Sequence, residues 1–343
     1  MKIESNNARL KTALISFIGA LSLPALASEP VIVNTDNFVK VETSIQFERG
    51  YNNLLNNNIN TIAHFHQPLA LDKQNVIRMN RDTLYSNSLI DISKGATVTI
   101  PETNGRYLSV MVINEDGYIN KVIHGKGTYA LTMEEFDTPY VALAVRTLID
   151  ASDPVDVQIA NDLQKGVKIK ANSAIPYSAI KYDESSYQAT YEALIALSRG
   201  MTTTENMFGS KEHVDPVRHL IGTAFGFAGM SEEEAVYINV EPKLPVGVYQ
   251  LTVKDVPVDG FWSISVYNES GFFEKNEHDA YTINNLTAAP NEDGSFTINF
   301  GGDPDADNYL HIKEGWNYVV RMYLPGAEIL DGSWSFPEVS TIN

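Results

Sequence analysis

The segment 78–86 places two guanidiniums, a carboxylate, a side-chain amide and a phenol within nine residues. Its polar members are Arg78, Asn80, Arg81, Asp82 and Tyr85. Two neighbouring arginines can bind a carboxylate, sulfate or phosphate through paired hydrogen bonds. Asp82 or Tyr85 would then transfer a proton or position a water molecule. The segment therefore predicts a catalytic role for Asp82 and Tyr85 and ligand contacts from Arg78, Asn80 and Arg81.

The alternative for this segment is a structural role. Asp82 would then pair with an arginine and cap a turn, while Asn80 would satisfy backbone groups at a strand end. An alternating apolar run at 88–92 follows the segment, so the polar cluster is expected at the rim of a sheet. The sequence leaves both roles open, with some members serving the fold and others a ligand.

Two histidines just upstream, His64 and His66, have the spacing of a metal-binding pair. Residues two apart on a strand point to the same face, as in His-x-His zinc ligands. A third ligand would have to come from His124, Asp82 or Glu115. A divalent metal is therefore a candidate cofactor. The favoured interpretation is that His64 and His66 form hydrogen bonds without a metal.

Aromatic residues are frequent in the C-terminal part of the chain. Trp262 and the alternate residues after it would share one face of a strand, which is typical of a sandwich core. The alternative places Trp262 in the wall of a ligand cavity. Arg321, in an otherwise apolar strand, is a second candidate for ligand contact. A charge there requires a partner, for which Asp331 or Glu328 is available.

The elements that would position these residues follow a β-rich, helical, β-rich order. Helices are predicted at 38–55, 153–165, 185–199 and 215–229, and strands from 62 to 147 and from 247 to 323. Regularly spaced short strands indicate antiparallel sandwiches or jelly rolls. The predicted fold class is mainly β with inserted helices (α+β), as two antiparallel β-sandwich or jelly-roll-like domains joined by a helical segment. We place the first domain at 28–165, and the helical segment with the second domain at 166–343.

The N-terminus predicts export. Residues 1–27 combine a basic start, an apolar run and a small-x-small cleavage site before Ser28, which is typical of a signal peptide. No later stretch approaches the roughly 20 apolar residues of a membrane-spanning helix. A periplasmic or secreted protein without a transmembrane segment in its mature form is therefore expected.

Composition narrows the classes of partner and of stabilisation. The formal net charge of -18 repels the phosphates of nucleic acids, so nucleic acid is not an expected partner. The chain contains no cysteine, so an exported form would rely on its hydrophobic core rather than on disulfides.

Two sets of motifs, one in each half of the chain, resemble known families. The first set is Asn80-x-Asp-Thr-Leu-Tyr-Ser86, Ile100-Pro101 and Gly105-Arg-Tyr107. The second set is Gly260-Phe-Trp-Ser-Ile-x-Val-Tyr-Asn268, Asp293-Gly-Ser295, Arg321-Met-Tyr-Leu-Pro325 and Asp331-Gly-x-Trp334. The first resembles the bacterial domain-of-unknown-function family 1254, and the second resembles its partner family 1214. Such pairs occur in tandem in exported bacterial proteins, and the resemblance implies two β-sandwich or jelly-roll-like domains.

The resemblance also suggests a role in tolerance of amphiphiles, and hence a hydrolase of surfactant-like esters or sulfates if the protein is an enzyme. The sequence lacks the motifs of serine hydrolases, zinc proteases and nucleotide-binding proteins, which disfavours those classes. Our hypothesis is binding, with hydrolysis as a further step, of a small amphiphilic or anionic molecule in a cavity of the N-terminal domain. The alternative is a non-catalytic interaction or assembly protein of the cell envelope, with the aromatic C-terminal domain forming homo-oligomer contacts.

Overall fold

The computed structural model describes residues 29–68, 70–74, 77–201 and 203–341. The signal peptide predicted at 1–27 lies outside these ranges. Within them, no helix is both long enough and apolar enough to cross a membrane.

Helices and strands alternate along the chain in the predicted β-rich, helical, β-rich order. The α-helices are α1 (Phe38–Arg49), α2 (Met133–Phe136), α3 (Pro154–Gly166), α4 (Glu184–Leu197), α5 (Pro216–Gly226) and α6 (Ala327–Leu330). The strands of the first half are β1 (Ile62–His64), β2 (Thr83–Asp91), β3 (Ala96–Ile100), β4 (Leu108–Asn114), β5 (Ile119–Ile123), β6 (Gly127–Leu131), β7 (Tyr140–Leu148) and β8 (Lys168–Ala171). The strands of the second half are β9 (Ala235–Val240), β10 (Tyr249–Val253), β11 (Trp262–Tyr267), β12 (Thr282–Asn284), β13 (Phe296–Phe300), β14 (Tyr309–Leu310), β15 (Asn317–Tyr323) and β16 (Ser340–Thr341).

The first domain is a sandwich of two antiparallel sheets. One sheet has the strand order β1-β2-β7-β4-β5, and the other has the order β6-β3-β8. Ile90, Val98, Val110 and Leu143 belong to the apolar core between the two sheets. Because side chains alternate along a strand, the five-stranded sheet presents a second face away from this core. Strand β8 pairs with β3, so the second sheet extends past residue 165, where we placed the domain boundary.

The second domain is also a sandwich. Its sheets have the orders β12-β11-β15-β9 and β14-β13-β10-β16, and apart from the parallel pair of β13 with β14 the strands run antiparallel. Trp262 and Val320 from one sheet meet Ile298 and Phe300 from the other in its core. The predicted class, mainly β with inserted helices, is confirmed.

Helix α1 joins the helical segment to the second face of the five-stranded sheet. Phe38 and Val41 pack with Leu194 of α4 and Ile221 of α5. The pattern predicted one helix over 38–55, but from Gly50 to Leu54 the chain forms a π-helical turn. This turn and the end of α1 lie against the sheet face that carries the candidate site.

A buried histidine on α5 is expected to make the stability of the fold depend on pH. His219 is 4% exposed, and its Nδ1 lies 2.8 Å from the carbonyl oxygen of Met207, to which it donates. Its Nε2 is buried without a hydrogen-bond partner among the described residues. Burial lowers the pKa of His219, outweighing the opposite effect of the Met207 carbonyl. A protonated ring would bury a second N–H with no acceptor.

The expected result is a loss of stability in mild acid. The unfolded chain has the higher pKa at this residue, about 6.5, so it takes up the proton first as the pH falls. The stabilisation is complete above that value and is lost as the pH falls from it towards the lower pKa of the folded state. Urea unfolding at pH 7.5 and 5.0 checks this. His219→Asn, which retains a donor near the position of Nδ1, should lose less free energy of unfolding between the two pH values than the wild type. An equal loss in the variant would assign the acid sensitivity to other groups.

Candidate functional site

A row of polar side chains crosses the second face of the five-stranded sheet. Tyr85 on β2 is the cross-strand neighbour of Arg146 on β7, and Arg146 is in turn the neighbour of Ser109 on β4. The guanidinium carbon of Arg146 lies 5.6 Å from the centre of the Tyr85 ring, within the range of a cation–π contact. Antiparallel register therefore joins residues that are distant in sequence.

The next two rows on this face become increasingly apolar. The second row is Asn87, Ala144 and Met111, and the third row is Leu89, Ala142 and Ile113. Side chains two residues apart point to the same face, so the three rows form one continuous surface. One end of this surface is cationic and the other end is hydrocarbon.

A cavity of about 450 Å³ lies between this surface and the helices. Its opposite side is formed by Phe47, Tyr51 and Leu54, from α1 and the π-helical turn, and by Phe227 after α5. The volume is within the usual range of small-molecule sites, about 300–1,000 Å³. The cavity is therefore large enough for a small organic ligand.

Arg146 is the half-buried cation among the residues that line this cavity. It forms no ion pair with the residues that the structure describes, and its Nη1 is buried without a hydrogen-bond partner among them, although the guanidinium also contacts the Tyr85 side chain. Burial opposes its charge, but nearby tyrosines, above all Tyr85, raise the pKa of Arg146 above its ordinary value. Arg146 therefore stays charged, with phenols rather than a carboxylate around it. A buried cation without an anion is costly in the free protein.

Tyr85 is the predicted catalytic residue that lines the cavity. Burial would raise the pKa of Tyr85, but Arg146 and a hydrogen bond from Asn80 lower it below its ordinary value. Asn80 Nδ2 donates to the Tyr85 hydroxyl at 3.2 Å and to the Thr83 hydroxyl at 2.9 Å. Asn80 therefore positions Tyr85 from behind, and the structure does not place it among the lining residues.

The rest of the predicted polar cluster joins the two domains. Asp82 is fully buried, and its Oδ1 accepts hydrogen bonds from Thr282 Oγ1 at 2.9 Å and Asn284 Nδ2 at 3.3 Å, both in the second domain. Arg321 Nη2 donates to the carbonyl oxygen of Arg78 at 2.8 Å. The expected partners of Arg321, Asp331 or Glu328, are not used, because Ser265, Tyr267 and backbone carbonyls take their place. We call Asp82, Thr282, Asn284 and Arg321 the interdomain clamp.

The two other arginines of the segment lie outside the cavity. Arg78 reaches the exposed Glu241 at 3.3 Å. The guanidinium carbon of Arg81 lies 5.6 Å from the ring centre of Tyr281, where it lines a cleft between the domains. The structure therefore does not bring Arg78, Arg81 and Tyr85 together around one ligand position.

The remaining predicted site residues have protein partners. His64 Nδ1 is 2.8 Å from Ser86 Oγ, and His66 Nδ1 is 2.8 Å from Asn161 Oδ1. Within the described ranges, no group of three or more His, Cys, Asp or Glu residues is arranged to hold a metal ion. Trp262 is 4% exposed in the core of the second sandwich, which favours the core over the cavity wall. A homo-oligomer through this aromatic domain stays a prediction.

Two family matches cover much of the chain. Residues 59–171 match the family described as "Protein of unknown function (DUF1254)", and residues 244–327 match "Protein of unknown function (DUF1214)". The chain carries these two domains in tandem. The predicted resemblance and its order are confirmed.

A solved structure has the same fold. The crystal structure of the VPA0106 protein from Vibrio parahaemolyticus has a TM-score of 0.69 and 16% sequence identity, and the match covers 91% of this chain and 100% of that chain. An uncharacterized protein from Burkholderia cenocepacia has a TM-score of 0.47 and 14% identity, over 84% of this chain and 85% of that chain. No curated protein matches the sequence.

The DUF1254 region supplies the floor of the cavity, including Tyr85, Met111 and Arg146. Phe47 and Phe227, on the opposite side, lie outside both matched regions. The DUF1214 region contributes Arg321 and the other second-domain members of the clamp. The cavity is thus a DUF1254 surface completed by helices, and the DUF1214 domain holds the loop that leads to Tyr85.

We did not predict a role for Arg146 from the sequence. The signal was present, because Arg146 is the charged residue in the otherwise apolar run of β7. Ala142 and Ala144 gave no functional signal, since small residues in a strand are as common in a core as in a cavity.

Proposed function

We propose that this protein binds a small amphiphilic anion, with its head group at Arg146 and its hydrocarbon tail along the apolar end of the cavity. The observation that carries the proposal is a guanidinium with no ion-pair partner and an unpartnered Nη1 among the described residues, at one end of an otherwise largely apolar cavity. An anionic head group would supply the counter-charge that the described residues do not provide.

Charge favours an anion over other ligands. The cavity lining includes Arg146 and the exposed Arg49, and none of the described lining residues is acidic. The lining also includes Tyr85 and Asn87, whose side chains carry hydrogen-bond donors. The whole chain carries a net charge of -18, so this cationic cavity runs against the general charge of the protein. A local excess of cation and donors in an acidic protein supports recognition of negative charge.

The apolar end supports the amphiphilic part of the proposal. Leu89, Met111, Ile113 and Phe47 offer hydrocarbon surface without ionic groups. Burial of each methylene there contributes about 0.8 kcal/mol. A small inorganic anion would leave this surface unused, whereas a molecule with a head and a tail would match both ends.

Titration calorimetry with matched ten-carbon probes tests the proposal. Decyl sulfate and decanoate, below their micelle concentrations, should bind with one molecule per chain. Decanol and decyltrimethylammonium should bind about tenfold or more weakly, because a hydrogen bond to a charged group contributes about 1.5–3 kcal/mol. The proposal would be contradicted if decanol or decyltrimethylammonium bound with the same affinity as decyl sulfate and decanoate.

Cleavage of the ligand is a separate question that the same samples answer. The hydrolysis suggested by the family resemblance would release decanol and sulfate from decyl sulfate, or decanoate from a decanoyl ester, and mass spectrometry would detect the product. Tyr85, adjacent to Arg146, is the candidate for proton transfer in that case. We place this activity in the periplasm or outside the cell, on the basis of the signal predicted at 1–27.

A further inference from the structure

Strand β7 forms the floor of the cavity along a straight line. Ala142, Ala144 and Arg146 line the cavity and are half-buried, whereas the alternate residues Val145 and Thr147 are fully buried on the other face. The strand therefore presents three side chains to the cavity, the guanidinium of Arg146 and the methyl groups of Ala144 and Ala142. We call Ala142, Ala144 and Arg146 the trough.

We propose that the trough selects a single unbranched chain, and that Ala144 and Ala142 set the length of chain that fits. This inference rests on the proposed function, because it names the kind of anionic amphiphile that the cavity accepts. Ala142 and Ala144 are then specificity-determining residues, and Arg146 fixes the end from which chain length is measured.

The width of the trough supports one chain. Asn87 and Leu89 of β2 stand on one side of it, and Met111 and Ile113 of β4 stand on the other. Neighbouring strands are about 4.8 Å apart, so the two walls stand on backbones about 10 Å apart. The wall side chains occupy part of that distance. A linear chain fits between them over the alanines, and a branched or ring-containing tail would collide with the walls.

The length of the trough limits the length of the hydrocarbon tail that can bind. Strand residues advance by about 3.3 Å, so Ala144 lies about 7 Å from Arg146 along the strand and Ala142 about 13 Å. The cavity of about 450 Å³ holds about 15 groups of the size of a water molecule, at about 30 Å³ each. A head group of four or five atoms leaves room for a tail of roughly ten carbons.

A chain-length series read by calorimetry tests the inference. Alkyl sulfates with 4 to 14 carbons are titrated into the wild type, Ala142→Leu and Ala144→Leu. In the wild type, affinity should rise about fourfold per methylene and reach a plateau near ten carbons. Ala142→Leu should reach its plateau at a shorter chain, and Ala144→Leu at the shortest. A methyl-branched decyl isomer should bind the wild type at least tenfold more weakly than the linear chain.

The matched control is Ala130→Leu, the same substitution at an exposed strand position outside the cavity. It should keep the wild-type plateau. If a leucine variant does not fold, as judged by its melting curve, Ala142→Val and Ala144→Val replace it, because valine is well tolerated in strands.

The outcomes separate this inference from the proposed function. Failure of every alkyl sulfate to bind the wild type in preference to neutral chains overturns the proposed function and the inference with it. Anion-selective binding with the same plateau in the wild type and in both trough variants overturns only the inference. Equal affinity for linear and branched isomers has the same consequence.

Discussion

Replacing Arg146 with Gln is expected to remove the preference of the cavity for anions. The guanidinium is the buried cation of the cavity and has no ion-pair partner among the described residues. Loss of one member of a buried charge pair costs about 2–5 kcal/mol, which corresponds to a loss of roughly 30-fold or more in affinity. Decyl sulfate binding should fall by this factor, and decanol binding should change little. Calorimetry of both probes on both proteins measures the difference.

The matched control is Arg49→Gln, at the exposed cation among the lining residues. An exposed charge contributes about 0.2–1 kcal/mol, so the affinity for decyl sulfate should fall about fivefold at most. The two variants remove the same formal charge, one at a half-buried position beside Tyr85 and the other at an exposed position. Equal losses would mean that general attraction, rather than a head-group site at Arg146, governs binding.

Stability gives an independent check on the same variant. Arg146 has no anionic partner among the described residues, so replacing it leaves no buried carboxylate without a counter-charge. The free energy of unfolding of Arg146→Gln should stay within about 1 kcal/mol of the wild-type value, which is the size of the lost cation–π contact with Tyr85, in urea denaturation without ligand. Strong destabilisation would show that Arg146 serves the fold and not a ligand.

Replacing Arg321 with Met should have the opposite effect, a large loss of stability. Arg321 is 3% exposed and donates to Ser265 Oγ at 2.9 Å and to the Tyr267 hydroxyl at 2.7 Å. It also binds the carbonyl oxygens of Arg78 and Met79 across the domain interface. Burial opposes its charge, but Tyr267, Tyr323 and Asp82 raise the pKa of Arg321 above its ordinary value.

The expected cost of Arg321→Met is about 3–5 kcal/mol in the free energy of unfolding, because two buried hydroxyls and two carbonyl oxygens lose a charged hydrogen-bond donor. Urea denaturation followed by tyrosine and tryptophan fluorescence measures it. Arg78→Met is the control, since the Arg78 side chain pairs at 3.3 Å with Glu241, whose side chain is 63% exposed. That change should cost less than about 1 kcal/mol. Similar losses in both variants would contradict the clamp.

These two arginines show how burial alone leaves function undecided. Arg146 and Arg321 both lie in strands and both have tyrosine neighbours. Arg321 has its hydrogen bonds satisfied by protein groups, and Arg146 has an unpartnered nitrogen beside a cavity. The first pattern is that of a structural cation, and the second is that of a cation available to a ligand.

The interdomain clamp includes Asp82, one residue of the polar segment that we predicted as a site. Asp82, chosen as a catalytic candidate, binds Thr282 and Asn284 of the second domain. Asn80 connects this region to the cavity through the hydroxyl of Tyr85. Asp82 therefore has contacts of the kind that the structural alternative predicts, and a catalytic role for Tyr85 stays a prediction.

The sequence by itself determined the fold class and the tandem order of the two domains. Alternating strands around Leu143 and Ile264, and helical spacing around Leu194, depend on local periodicity, which is written in consecutive residues. The motifs of both families are also local. These features need no knowledge of which strands are neighbours.

Only the tertiary structure decided which polar residues meet. Tyr85, Arg146 and Ser109 become neighbours through the register of β2, β7 and β4, and a shift of one residue would turn each side chain to the other face. Arg321, in the second domain, donates to a carbonyl oxygen of the first domain, and its own strand gives no sign of that partner. A sequence pattern gives the face on which a side chain lies, but its partners depend on strand pairing and domain packing, which join residues far apart in the chain.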